Sequence, residues 1–452
     1  MQARTNQLNL TSGSLWQNIW QMSWPMVLIM ICNFVIGFAD VYVAGLISPQ
    51  VQAAVGFVSQ IYFLIIILAN AISIGTVAIV SRAVGAGDFG EALVVARQAL
   101  VFGCCVAAAL MVVCVTLSAQ IIRAAGFPPE IREIASEFLR IFAFVLGPNY
   151  VLIIAGAVFR ASGEPIKPLL IMMVVMLADI AALWFFVFVL DTGYRGIAFA
   201  TACSVSAGTA LSFILFLRSR WRDIYRGPLR FSCATVRRIF AVSWPAAMLQ
   251  VSWNAGTMVL YILLSSLGES SVTALAAMTN GLRIEAIIYL PAFALNMAAS
   301  VLVGQNLGAG NPDRAERIGW SIAGTGAVFV SIMALGFFVG AEVVAATLAR
   351  NEAVLEETAR YLRYNMVAEP FMAVSAVLGG GMQGAGDTRG TMWVIIVAMW
   401  IIRLPLAVML TQVFAYGATG IWMAMVASML LQGLLMIRRF RSGVWRSASV
   451  AG

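Results

Sequence analysis

The sequence predicts an all-α integral membrane protein with twelve transmembrane helices in two parallel-repeat six-helix bundles. Three observations carry this. The 452 residues are 62% apolar and only 11% charged, against about a quarter charged in an ordinary soluble domain. The charges are spaced so that long apolar runs lie between them. A set of short motifs then recurs in the same order in the second half.

The first observation excludes a soluble enzyme, a disordered chain and a disulfide-stapled secreted scaffold. Mean hydropathy is +0.93, more apolar surface than a soluble core uses. The second gives the helices. A span needs about 20 apolar residues, and uncharged runs occur at 5–39, 41–81, 98–122, 141–159, 196–217, 239–268, 286–312, 318–341 and 404–437. Three further stretches, near 166–190, 358–382 and 390–413, complete twelve helices. Ser48-Pro49-Gln50 marks the turn that ends the first helix. Barrel strands would alternate apolar and polar residues, and these runs do not alternate. Residues 1–18 are polar, with no cleavage site soon after the first apolar run, so the first helix is expected to stay in the protein.

The basic residues set the orientation. The termini and the loops after even-numbered helices hold 19 of the 28, among them Arg82, Arg97, Arg160, Lys167, Arg314, Arg317, Arg389 and Arg439, while the odd-numbered loops hold seven. The positive-inside rule then predicts both termini in the cytoplasm of a multi-pass protein of the bacterial inner membrane. The net charge of +8 is topological. It forms no clustered soluble face for nucleic acid.

The repeat gives the domains. Ser23-Trp24-Pro25 recurs as Ser243-Trp244-Pro245, Gly85-Ala86-Gly87-Asp88 as Gly308-Ala309-Gly310-Asn311, Ala161-Ser162-Gly163-Glu164 as Gly384-Ala385-Gly386-Asp387, and Gly196-Ile197 as Gly420-Ile421. The offsets are 220, 223, 223 and 224. Six helices per half is an even number, so both halves enter from one side. The expected organisation is a bundle over 1–217, an arginine-rich cytoplasmic linker over 218–238 containing Gly227-Pro228, a second bundle over 239–440, and a tail over 441–452. Two homologous bundles joined by one loop suit alternating access, with the site between the halves near the midplane.

Charged groups inside spans mark the chemistry, because each costs at least about 2.5–3.5 kcal/mol on insertion scales. They are Asp40, Asp179, Arg283, Glu285, Glu369 and Arg403. Asp40 and Asp179 are expected to approach each other and couple the ion; Glu285, Glu369, Arg283 and Arg403 are expected around the substrate cavity. Four acids against two bases favour cationic cargo. Pro25 and Pro245 are the candidate hinges, since each removes a backbone hydrogen bond at matching positions of the two halves. The glycine turns lack the lysine and the preceding strand of a phosphate loop; they read as tight helix–helix turns. Six cysteines, Cys32, Cys104, Cys105, Cys114, Cys203 and Cys233, read as small buried hydrophobes. The chain has no histidine, so histidine-ligated metals and the Ser/His or Cys/His constellations of an enzyme are not expected.

These residues have a familiar arrangement. Phe38-Ala39-Asp40-Val41-Tyr42-Val43-Ala44-Gly45-Leu46, Arg283-Ile284-Glu285 with Leu290-Pro291-Ala292, the turn Val303-Gly304-Gln305-Asn306-Leu307-Gly308-Ala309-Gly310-Asn311, and Gln383-Gly384-Ala385-Gly386-Asp387-Thr388 resemble the MATE (multidrug and toxic compound extrusion) family across nearly the whole chain. The pattern is nearer its DinF-like and archaeal-type branch. The resemblance implies a secondary antiporter, not an enzyme, that exports amphipathic or cationic small molecules while H+ or Na+ enters. It needs no cofactor beyond the coupling ion and functions as a monomer in the bilayer. It implies coupling roles for Asp40, for Asp179 at a position where the family often has asparagine, and for Thr201. A sodium ion would use Asp40 and Asp179 as ligands. Leu183 stands where the family has a further acid, and Trp253 lies near the place of the helix 7 acid of the NorM-like branch, whose helix 10 acid Glu369 resembles. Sodium wants several neutral oxygens, and Val175 and Leu183 flank Asp179, so the reading favours a proton. The alternative within the superfamily is a lipid-linked oligosaccharide flippase, whose phosphate cargo would want a basic cavity. A major-facilitator fold fits poorly with Gly85-Ala86-Gly87-Asp88-Phe89-Gly90 as the loop after the second helix.

Overall fold

A computed structural model describes residues 8–124, 129–225 and 231–448. Arg4, Arg226, Arg230, Gly227-Pro228 and the last residues of the tail lie outside them. Among the described residues the elements are helices: α1 Leu15–Ile47, α2 Pro49–Gly85, α3 Phe89–Ala124, α4 Pro129–Ala161, α5 Ile166–Leu183, α6 Tyr194–Leu217, α7 Cys233–Ser265, α8 Ser271–Gly308, α9 Pro312–Val339, α10 Ala341–Leu348, α11 Glu352–Met366, α12 Glu369–Gly384, α13 Thr388–Ile396, α14 Leu404–Val408 and α15 Gly417–Arg441. Wider π-turns extend α5 over Trp184–Val189 and flank α14 over Val397–Arg403 and Met409–Val413. Among the described residues, eleven helices are long and apolar enough to cross a membrane. The twelfth expected helix is present in two pieces, α11 and α12. Pro370 stands in the first turn of α12. It has no N–H to continue the ladder from α11, and the chain passes through two tighter turns, Val367 N–H to Tyr364 and Ala368 N–H to Asn365.

The chain divides into two compact units, Met1–Ser243 and Trp244–Val450, so the division falls inside α7. In the first, α2, α3, α4 and α6 pack on one another, with α1 against α5. Its core includes Val55, Phe138, Phe142, Val187 and Ile197. In the second, α8 packs on α9, α11 and α12, and α15 closes on α12. Its core includes Ile288, Tyr361, Leu362, Trp422 and Met425. Ser48 ends α1 and caps α2, its hydroxyl accepting from Val51 N–H at 3.1 Å, with Pro49 in the first turn.

The internal repeat is written in the backbone. Gly87 and Gly310 take φ of +77° and +74°, Gly163 and Gly386 take +77° and +95°, and each pair is 223 residues apart. At each of these turns a backbone N–H reaches back five positions: Asp88 to Ala83, Asn311 to Asn306, Glu164 to Phe159 and Asp387 to Met382. This is the Schellman closure that left-handed glycine permits. At the other end of the bundles the non-glycine residues Asp191 and Ala415, 224 apart, both have positive φ, 48° and 56°.

The repeat also extends past the motifs found in the sequence. After α6, a 3-10 turn over Arg220–Ile224 buries Trp221 completely against Phe89, ring centroids 4.8 Å apart. Beyond α15, a turn over Val444–Ser447 buries Trp445, 224 residues later, stacked on Phe440 at 4.7 Å. The linker is therefore packed structure at its start: the Arg97 guanidinium donates to the carbonyls of Ile224 and Asp223 at 2.8 and 2.5 Å. Burial holds the Arg220 guanidinium below its usual arginine range, and the group lies over the Phe89 ring.

The cysteine expectation needs correction. Only Cys32 and Cys114 are buried; Cys104, Cys105, Cys203 and Cys233 are exposed. In a soluble protein an apolar helix face seeks the core, but lipid is as apolar as a core. Apolar sequence context therefore says nothing about burial for Cys104 and Cys105 on α3 or Cys203 on α6.

Candidate functional site: two buried acidic centres

The first unit holds one centre. Asp179 is completely buried on α5, and Ser204 Oγ on α6 donates to its Oδ1 at 2.8 Å. The second oxygen, Oδ2, accepts no hydrogen bond. Asp40 on α1 lies within electrostatic range of Asp179, and its Oδ1 is likewise buried without a donor. Thr201, one turn before Ser204, is buried and directs its hydroxyl to the Ile197 carbonyl at 3.2 Å. Ser204 also contacts the Thr201 carbonyl at 3.1 Å. The centre thus gathers two carboxylates, two hydroxyls and carbonyl oxygens from α1, α5 and α6. Buried carboxylate oxygens without donors are costly, and here two of them lie in one centre. Immediately beyond Asp179, α5 widens into the π-turn Trp184–Val189, a form found often beside functional sites.

The second unit holds another. Glu285 on α8 is buried and accepts two hydroxyls, from Tyr361 of α11 at 2.7 Å and from Tyr289, one turn along α8, at 3.0 Å. Glu369 opens α12, at the break after α11. It is completely buried, and neither of its oxygens accepts a hydrogen bond. Arg403 ends the π-turn Val397–Arg403 and is buried. Its Nε donates to Ser428 Oγ of α15 at 2.6 Å, and its guanidinium lies 5.1 Å from the Trp253 ring centre on α7. Glu285, Glu369 and Arg403 act on one another electrostatically.

Of the residues singled out in the sequence, Asp40 and Asp179 are brought together with Thr201 nearby, and Glu285, Glu369 and Arg403 form one cluster. Arg283 is not brought in: it is exposed, two positions before Glu285. That spacing turns it to another face of the helix. Pro25 and Pro245 stand inside α1 and α7, which continue through them. Sequence reasoning missed Ser204, Tyr289, Tyr361 and Ser428. Ser204 sits three residues after Thr201 and Tyr289 four after Glu285, so helical spacing could have found both. Tyr361 and Ser428 come from distant helices and left no such signal.

A duplicated, polytopic helical membrane protein with a buried ionisable centre in each unit is the class these features define. The family model described as MatE matches residues 25–185 and again 245–409, and the chain belongs to that family. It is similar to a probable multidrug resistance protein NorM of Thermotoga maritima, 23% identical over 431 residues that cover 93% of this chain and 91% of the relative. The uncharacterized transporter YisQ of Bacillus subtilis is 23% identical over 430 residues, 92% of each. Among solved structures, a MOP superfamily transporter from Pyrococcus furiosus superposes with a TM-score of 0.90 at 20% identity, covering 98% of both chains. A MATE protein in the bent conformation gives 0.88 at 20% identity over 96% of both. These likenesses establish the fold.

Proposed function

We propose that the chain is a secondary active antiporter of the inner membrane that exports amphipathic or cationic organic compounds while a cation enters, by alternating access. The observation that carries this is the Asp40–Asp179 pair: two carboxylates inside apolar helices, each with a buried oxygen that no donor satisfies. Such a pair is expensive unless a cation visits it. Cargo and coupling ion then compete for the same negative charge, and their different affinities for two conformations drive the cycle. Membership in the MatE family and the names of its NorM relatives support multidrug efflux.

The finer assignments belong to the same proposal. Asp40, Asp179 and Thr201 are the coupling residues, joined by Ser204. The proton is the preferred coupling ion, because Val175 and Leu183, one turn either side of Asp179 on α5, offer no neutral oxygens to a sodium ion. Both termini are cytoplasmic, following the arginine distribution. Pro25 and Pro245 are the flexing points. Residues 1–217 and 239–440 are the two moving bundles, and a monomer suffices. We read the chain as nearer the DinF-like and archaeal-type branch, on the resemblance of its motifs taken together.

The test is transport in proteoliposomes, read with a fluorescent organic cation under an imposed pH gradient or an imposed sodium gradient. Uptake driven by the pH gradient alone is expected. Uptake under neither gradient, with labelled lipid-linked oligosaccharide crossing instead, would overturn the reading in favour of a flippase.

A further inference from the structure

A cavity at the end of the second unit is lined by none of the buried acids. We propose that it is a binding site for an anionic phospholipid, whose phosphate Arg441 takes while the acyl chains run along the outer faces of α9 and α15. This goes beyond the antiport reading, since it concerns the bilayer around the protein and neither the cargo nor the coupling ion.

The cavity has a volume of about 440 Å³ and is lined by Glu316 and Trp320 of α9 and by Ile437 and Arg441 of α15. Phe440 joins the two helices at this level. Its ring meets Trp320 edge-on, centroids 5.3 Å apart, and lies against Gly319, where an added Cβ would stand 2.4 Å from it. Charge decides what fits. Glu316 is the carboxylate in the lining, and both of its oxygens are taken. Oε1 accepts from the Trp320 indole N–H at 3.3 Å, and Oε2 accepts from the Arg446 guanidinium, which also reaches Asp313 at 3.3 Å. The Arg441 side chain is exposed and, among the described residues, makes no hydrogen bond or ion pair. Arg317 and Arg438, next in the chain to Glu316 and Ile437, are exposed and unpaired in the same way. An entering group thus meets free guanidinium donors beside a carboxylate that is already neutralised. That suits an anion, and a guanidinium fork matches the oxygens of a phosphate.

Position decides that the anion is a lipid. At helical spacing Arg441 shares a face of α15 with Ile437 and the exposed Leu434, and Arg317 shares a face of α9 with the exposed Val328 and Leu335. Both helices are long and apolar enough to cross a membrane. Each face therefore runs from apolar side chains to an arginine at the helix end, the same order as acyl chain and phosphate in a phospholipid. Trp320 stands between, a residue type that settles at the headgroup boundary. Basic pockets between membrane helices hold anionic headgroups for this reason. A free phosphate ion would gain nothing from the apolar walls.

The test is thermal unfolding of the purified full chain in detergent, titrated with short-chain phosphatidylglycerol, short-chain phosphatidylcholine or inorganic phosphate. A ligand that binds only the folded state raises the midpoint. Phosphatidylglycerol is expected to raise it saturably, and the other two to leave it unchanged. Arg441→Gln should raise the half-saturating phosphatidylglycerol concentration about fivefold; Arg441 is exposed and unpaired, so its replacement leaves the fold intact. Ile437→Trp keeps every charge and fills the cavity, and should weaken binding as well. Arg218→Gln, which removes an exposed arginine at the end of α6 in the first unit, should bind as wild type does. Equal responses to phosphatidylglycerol and phosphatidylcholine, or an unchanged half-saturation in Arg441→Gln, overturn the proposal. A midpoint raised equally by inorganic phosphate makes the ligand a free anion and overturns it too, as does wild-type binding by Ile437→Trp, which would place the lipid outside the cavity. None of these measurements involves transport, so failure of the antiport reading would leave them untouched.

Discussion

The Tyr361 hydroxyl donates to Glu285 Oε1 across 2.7 Å, joining α11 to α8 inside the second unit. The ring is completely buried, meets Trp422 edge-on at 4.7 Å and lies against Gly281, where an added Cβ would stand 2.1 Å from it. The hydroxyl is therefore held in one place. A hydrogen bond to a buried carboxylate contributes about 1.5–3 kcal/mol. Tyr361→Phe is expected to lower thermal stability in detergent by that order. Tyr289→Phe should cost less, since its bond is longer and stays within one helix. Equal losses would show that Tyr361 does not tie the two helices.

Asp40→Asn keeps the shape of the side chain and removes its charge. It is expected to abolish efflux of a fluorescent cation while folded yield stays near wild type. Full-rate transport by the variant between pH 6 and 8, under either ion gradient, would show that Asp40 is not the coupling acid.

Gly390 leaves room for the Arg439 guanidinium, which grips both oxygens of Asp387 at 2.8 Å. A Cβ at 390 would stand 1.8 Å from Arg439 Nε. Gly390→Ala is expected to push the arginine off Asp387, and Arg439→Lys to lose the two-pronged grip. Each should cost about 1–3 kcal/mol. Their effects should not add in a double-mutant cycle by thermal melting, because both remove one interaction.

Trp445 is fully buried, stacked on Phe440, and its indole N–H donates to the Phe440 carbonyl at 2.7 Å. Trp445→Ala should destabilise by about 3–5 kcal/mol through the cavity left. The second effect expected is release of the Arg446 contacts with Glu316 and Asp313, measurable as faster proteolysis of the C-terminal segment. Unchanged cleavage would mean that this turn is held by something other than Trp445.

The sequence by itself determined the membrane helices, the duplication and the identity of most buried charges. Each rests on local chemistry. Lipid demands long apolar runs between charges. The turns at Gly87, Gly163, Gly310 and Gly386 demand glycine for their left-handed backbone, so the repeat is visible as a motif. A charge such as Asp179 or Glu369 inside an apolar run is conspicuous wherever it points. Only the tertiary structure decided which of these charges meet and which neighbours satisfy them. Arg283 and Glu285 are two residues apart, yet one is exposed and the other is buried among two tyrosine hydroxyls, because the helix turns about 100° per residue. Tyr361 reaches Glu285 from 76 positions away, and Arg403 finds Ser428 and Trp253 on two other helices. The twin tryptophans Trp221 and Trp445 were hidden for the same reason. Of their adjacent residues only the following arginine, Arg222 or Arg446, repeats, too short a match to stand out, and what recurs is the place in the packed bundle that each ring fills.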